Sequence, residues 1–169
     1  TLPGMADRTI TIGGYSKTFS ITGWRIGYSV AAARWAAAIG AMNDLLYVCA
    51  PTPLQAGVAV GIQELPDSYY RDLARDYQRK RDRFCQALAK AGLTPSIPQG
   101  AYYVLADMSR LPGTTGKERA TFLLETIGLA GVPGEAFFSG IDGKQFIRFS
   151  YAKTDADIDD ACRRIARLG

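Results

Sequence analysis

Gly14-Tyr15-Ser16-Lys17-Thr18-Phe19-Ser20-Ile21-Thr22-Gly23-Trp24-Arg25-Ile26-Gly27-Tyr28 is the stretch on which the reading of this chain turns. One lysine stands there among small and hydroxylated residues, and the next charge is Arg25, eight positions on. Gly13, Gly14, Gly23 and Gly27 let the backbone turn tightly and approach a ligand. A lysine in snug, partly apolar surroundings has its ammonium form disfavoured, so its amine becomes available to condense with a carbonyl compound. Arg25 supplies a planar fork that matches two phosphate oxygens and keeps its charge. A ligand with an aldehyde at one end and a phosphate at the other fits this spacing.

Outward from that stretch the chain is ordinary globular material. Its 169 residues, 47% hydrophobic and 21% charged, are enough to bury a core. The net charge is +4 without a single histidine, and the densest charged segment, Arg71 to Arg83, interleaves Asp72, Asp76 and Asp82 with its bases. A nucleic-acid face would be more one-sided, so no nucleic-acid partner is expected. Cys49, Cys85 and Cys162 are odd in number and widely spaced, which implies neither a disulfide framework nor a metal site and points to a reducing cytoplasm. The apolar runs fall short of the roughly 20 residues that a bilayer span needs, and no signal-peptide pattern is visible. No membrane partner is expected.

The lysine stretch resembles the signature of class I and II aminotransferases, the fold-type I enzymes that depend on pyridoxal 5′-phosphate (PLP): a Gly or Ser, two variable positions, Lys, then Thr-Gly-Trp-Arg-x-Gly. The resemblance implies that Lys17 is the catalytic Schiff-base lysine and that Arg25 binds the cofactor phosphate. Gly14 stands where many members carry a phosphate-binding serine, so a backbone amide is the contact this position offers. The implied fold class is α/β, with a remnant of the PLP-dependent transferase large domain followed by a small C-terminal α+β domain. The implied reaction moves an amino group between an amino acid and a 2-keto acid, in a homodimer, with Lys17 carrying the proton between substrate and cofactor.

Along the chain, Arg8 to Ile12 is expected as a strand feeding the lysine loop, and Ile26 to Val30 as another. Ala31 to Tyr47 has Trp35, Ile39, Met42 and Leu46 at helical spacing. Pro51 and Pro53 break it, and helical character resumes from Leu54 to Leu65. By resemblance Pro51 and Thr52 are candidates for a contact to a neighbouring subunit's phosphate; as plain sequence they are a helix-breaking loop. A charged helix follows Pro66 and ends near Gly92, with Leu73, Tyr77, Phe84 and Leu88 as its apolar stripe. The pattern changes there, which places the expected boundary between an incomplete large domain, 1–65, and the small domain, 66–169.

Within 66–169, Leu93 to Ile97 and Ala101 to Asp107 are expected as strands, Lys117 to Gly128 as a helix, and Gly131 to Phe138 as a proline-glycine loop. Gln145 to Ala152 reads as a strand that pairs with Ala101 to Asp107. Its period of two puts Ile147, Phe149 and Tyr151 on one face and Phe146, Arg148 and Ser150 on the other. A mid-strand arginine among apolar residues needs an anionic partner. From spacing alone that partner is an internal carboxylate such as Glu135 or Asp107. The resemblance implies instead that Arg148, in its Ile-Arg-x-Ser-x-Ala context, binds the substrate α-carboxylate. Asp155 to Leu168 closes the chain as a helix capped by Thr154.

The same scaffold serves PLP-dependent β-lyases and the aminotransferase-like effector domains of transcriptional regulators, so both stand as alternatives. In the family a long segment precedes the lysine signature and carries further cofactor contacts. The expectation is therefore a C-terminal portion that is inactive alone.

Overall fold

The computed structural model describes residues 2–139 and 143–169. The chain divides into two compact units, Thr1–Tyr70 and Arg71–Gly169.

The first unit opens on a 3-10 turn, Ala6–Arg8, where a strand was expected from Arg8. The reason is local: Met5 O accepts from both Arg8 N (3.0 Å) and the Thr9 hydroxyl (2.8 Å), which closes a turn and delays extension. Strand β1 (Thr11–Gly14) then pairs antiparallel with β2 (Gly27–Val30), in register from Thr11↔Val30 to Gly14↔Gly27. Two glycines are required by this close approach. A side chain at position 13 would overlap the Tyr28 ring, and one at position 27 would press on the Gly13 carbonyl at 2.8 Å.

Helices α1 (Ala33–Leu46) and α2 (Thr52–Glu64) complete the unit up to the start of the next helix. Helix α2 begins two residues earlier than expected, because Pro53 lies in its first turn, where a missing N–H breaks no helical bond. The stripe anticipated on α1 does not form a covered seam in this unit: Trp35, Met42 and Leu46 are exposed. Among the described residues, Ile26 and Val58 are the unit's buried side chains.

Helix α3 (Asp67–Lys90) starts in the first unit and runs into the second. The second unit holds a four-stranded antiparallel sheet in the order β3-β4-β6-β5, formed by β3 (Thr94–Ser96), β4 (Tyr103–Asp107), β5 (Val132–Pro133) and β6 (Phe146–Ser150). The two strands expected to pair do so, from Tyr103↔Ser150 to Asp107↔Phe146. Alternation decides the faces. Val104, Ala106, Ile147 and Phe149 are buried against Phe84, Cys85 and Leu88 of α3, Leu123 and Ile127 of α4 (Gly116–Ile127), and Ile158 and Ile165 of α5 (Asp155–Ile165). Tyr103, Leu105, Phe146, Arg148 and Ser150 occupy the opposite face and are half-buried.

The helices are fixed by end chemistry as well as by packing. Thr115 and Thr154 each form a capping box, with Glu118 and Asp157, satisfying N–H groups that the first turn leaves without partners. Arg79 and Arg83 of α3 pair with Asp155 of α5 at 3.0 and 3.2 Å, and Arg83 also meets Asp159. Arg164 of α5 reaches across to the end of α4, where its Nη1 donates to the Ile127 and Gly128 carbonyls at 3.3 Å each.

Candidate functional site

Lys17 and Arg25 share the loop between β1 and β2. The hairpin continues one step past its strands, with Tyr15 N donating to Ile26 O at 3.2 Å, and this closes the neck of the loop. Inside, Phe19 N donates to Tyr15 O, Ile21 N to Ser16 O and Trp24 N to Ile21 O, so Lys17 sits in a run of consecutive tight turns. Aromatic rings brace the loop: Tyr15 stacks on Phe19 at 5.7 Å with planes 2° apart, and Tyr28 lies 5.3 Å from Tyr15. The Tyr69 hydroxyl, in the first turn of α3, donates to the carbonyl of Thr18 at 2.6 Å. That bond holds the residue next to the lysine.

The Lys17 side chain is exposed and makes no hydrogen bond or ion pair among the described residues. The snug surroundings expected for it are therefore not those of this loop; its backbone is held while its amine stays open. Arg25 is exposed too, in the left-handed region at φ 58° and ψ 39°, following the 3-10 turn Thr22–Trp24. Few non-glycine residues adopt that conformation without a local reason. Here Arg25 Nη1 donates to the Thr22 carbonyl at 2.8 Å, folding the side chain back over its own turn. Among the described residues its other nitrogens make no hydrogen bond.

Gly14 ends β1 opposite Gly27. Because the neighbouring pair, Tyr15 with Ile26, is hydrogen-bonded, ladder alternation makes Gly14 and Gly27 a non-bonded pair. The Gly14 N–H is thus unused by the hairpin and available as a donor. A side chain at this position would be tolerated, since its Cβ would meet only Ile26 O, at 3.7 Å. Pro51 and Thr52 lie at the start of α2, exposed, with no side-chain capping bond.

Arg148 belongs to the second unit. Its register partners are Leu105 of β4 and Val132 of β5, on the sheet face turned away from the core. Its guanidinium lies between two rings, 4.1 Å from the centroid of Tyr103 and 4.2 Å from that of Phe137. Each ring offers the cation a π surface, an attraction of about 0.5–2 kcal/mol apiece. The internal carboxylates do not pair with it. Glu135 accepts from Gly116 N at 2.7 Å, and Asp107 accepts from Ser109 N at 2.7 Å. Among the described residues Arg148 has no ion pair, so its charge is balanced only by rings, and the N–H edge of the fork remains unmatched.

Sequence reasoning located Arg148 and its face but not its two rings. Tyr103 could have been found, since strand pairing places it on the same face. Phe137 could not, because it follows an irregular turn whose direction no periodicity reports. The Tyr69 bond to Thr18 spans 51 positions and left no local signal. Among the described residues the three cysteines are free, and no cluster of metal-ligating side chains occurs. No helix among them is long and apolar enough to cross a membrane.

The family model for aminotransferase class I and II matches residues 2–165. A kynurenine–oxoglutarate transaminase of Dictyostelium discoideum is 35% identical over 99% of this chain and 43% of its own length. Kynurenine–oxoglutarate transaminase 3 of Mus musculus is 33% identical over 95% of this chain and 39% of its own. Among solved structures, the N-succinyldiaminopimelate aminotransferase of Mycobacterium tuberculosis superposes with a TM-score of 0.89 at 31% identity, covering 99% of this chain and 44% of that one. The chain thus spans less than half the length of the relatives it matches.

Proposed function

This chain belongs to the class I and II aminotransferases, and from that premise we propose that it carries the reactive lysine and the carboxylate-binding arginine of a PLP-dependent transaminase acting on an amino acid and a 2-keto acid. The observation that carries the reading is the closed hairpin loop: an exposed primary amine without a partner among the described residues, an exposed guanidinium eight residues on, and a glycine N–H at the loop's neck that the hairpin leaves unused. This donor set suits an aldehyde that bears a phosphate. When bound, PLP supplies an electron sink for the pair left at the substrate's Cα.

The chain's own residues divide the remaining work. Lys17 would hold the cofactor through its Nζ, and when not so engaged the same nitrogen would carry the proton between the substrate's Cα and the cofactor. The Arg25 fork and the Gly14 N–H bind phosphate oxygens. Arg148 takes the α-carboxylate through the N–H groups of its guanidinium, which no carboxylate among the described residues occupies. We read the unit with Lys17 as the C-terminal part of the cofactor-holding large domain, 1–65 of the sequence division. The unit with Arg148 is read as the small C-terminal domain, 66–169. The free cysteines favour a reducing cytoplasm, and the family favours a homodimer.

The test uses the protein in its full natural length. Borohydride reduction in the presence of PLP should leave the label on the peptide containing Lys17, and Lys17→Ala should lower transamination by about 10²–10⁴-fold, the range expected for a lost general base. A label mapped to another lysine refutes the assignment.

A further inference from the structure

The rings that hold Arg148 are themselves held. Phe137 follows directly on the 3-10 turn Gly134–Ala136, closed by Phe137 N and Phe138 N donating to Gly134 O at 2.8 and 3.1 Å. The Glu135 side chain fastens this turn to α4: its carboxylate accepts from the N–H of Gly116, the first residue of that helix, at 2.7 Å. A carboxylate is well placed there, because the helix start carries partial positive charge and unsatisfied N–H groups. The fit is close on both sides. A side chain at Gly116 would overlap the Glu135 carboxylate, and one at Gly134 would overlap the Gly143 carbonyl and approach Phe146 O at 2.9 Å.

Three residues beyond Gly116 in the same helix stands Arg119. It is 8% exposed, and its Nη1 donates to Lys144 O at 2.7 Å, two residues ahead of β6. Its Nε is buried without a hydrogen-bond partner, an expensive arrangement that the Lys144 bond must help offset. The first turn of α4 therefore grips two segments at once. One leads into Phe137, and the other leads into the strand that carries Arg148.

We propose that Glu135 and Arg119 are positioning residues for Arg148: by tying the Gly134–Ala136 turn and the entry of β6 to α4, they keep Phe137 on the guanidinium face and leave its N–H edge for a carboxylate. Glu135 has a second consequence. Engaged with Gly116, this carboxylate makes no ion pair with Arg148 among the described residues and so is kept from competing with the ligand. The inference rests on the reading of Arg148 as the carboxylate-binding residue, and its test separates the two.

The measurement is side-chain NMR of the whole chain with ¹⁵N-labelled arginine. A guanidinium between two rings has a ring-current-shifted Nε–H signal, assigned as Arg148 by its loss in Arg148→Lys. Glu135→Ala should move that signal toward the value of a free arginine. It should also weaken binding of 3-phenylpropionate, a simple carboxylate probe, by about tenfold, as expected when a contact loses its supporting shell. Glu135→Gln keeps an oxygen acceptor for Gly116 N–H and should retain both properties. Arg119→Met should move the signal in the same direction as Glu135→Ala. If Glu135→Ala does not fold, Gly116→Ala, which displaces the same carboxylate, is read in its place. An unmoved signal in Glu135→Ala or its substitute overturns the proposal, as does a Glu135→Gln variant that loses as much as the alanine. Probe binding that survives Arg148→Lys sinks the carboxylate reading instead, while the ring-shifted signal still reports on positioning.

Discussion

The unit Arg71–Gly169 encloses an apolar core, whereas among the described residues of Thr1–Tyr70 only Ile26 and Val58 are buried. The contrast is one of periodicity meeting periodicity. In the second unit, the inward residues of β4 and β6 face the apolar stripes of three helices, and Leu88, Ala106, Ile147 and Ile165 are fully buried. In the first, Ile12, Val30, Leu45, Leu46 and Val60 are all exposed. What holds the lysine loop is of another kind: short hydrogen bonds, stacked tyrosine and phenylalanine rings, and one hydroxyl from α3. The residue proposed for chemistry therefore stands on locally organised backbone, and the residue proposed for carboxylate binding on a packed sheet.

Removing core volume is the strongest way to break this comparison. Leu88→Ala should lower the free energy of unfolding by about 2–5 kcal/mol, the range for a buried leucine. Leu45→Ala, at a site 78% exposed, should change it by less than about 0.5 kcal/mol. Denaturant titration of both variants decides the matter: equal losses would mean that the first unit shares the burden of stability.

A smaller effect sharpens the other half of the comparison. Tyr69→Phe removes the hydroxyl that donates to Thr18 while keeping the ring near Phe19, and should cost about 1 kcal/mol. The loss should be local. Amide hydrogen exchange is expected to accelerate between residues 15 and 26 and to stay unchanged in β4 and β6, and uniform acceleration would contradict the local account.

The smallest effect is electrostatic. The hydrogen bond from Arg79 holds the Asp155 carboxyl below its ordinary value of 3.8, and Lys80 followed by Arg79 does the same for Asp76. Carboxyls lowered by folding stabilise the folded state above the ordinary value, and that contribution is lost as pH falls through the lowered one. These groups are exposed, so the effect is small and screened by salt. Melting temperatures followed from neutral pH downward should fall less steeply below pH 3.8 for Asp155→Asn than for the natural chain. Parallel curves would show that the α3–α5 ion pairs contribute nothing.

Much of this was legible in the residues. The helical stripe Tyr77, Phe84 and Leu88, the alternation through Phe146–Ser150 and the Thr154 cap all announced themselves, because each depends on neighbours within a few positions. The start of β1 and the start of α2 were misplaced for an equally local reason, the Thr9 back-bond and a proline that fits a first turn. The lysine stretch was legible as a candidate site, since the amine, the fork and the glycines lie within one hairpin.

By itself, then, the sequence determined which strands alternate and which face Arg148 occupies, because backbone periodicity converts order along the chain directly into direction in space. Only the tertiary structure decided what surrounds them. Glu135 turned to a helix N–H instead of to Arg148, Phe137 and Tyr103 came to flank the guanidinium, and Tyr69 reached Thr18 across 51 positions. Each of these contacts joins segments distant in sequence, and a side chain with several possible partners takes the one that packing brings within bonding distance.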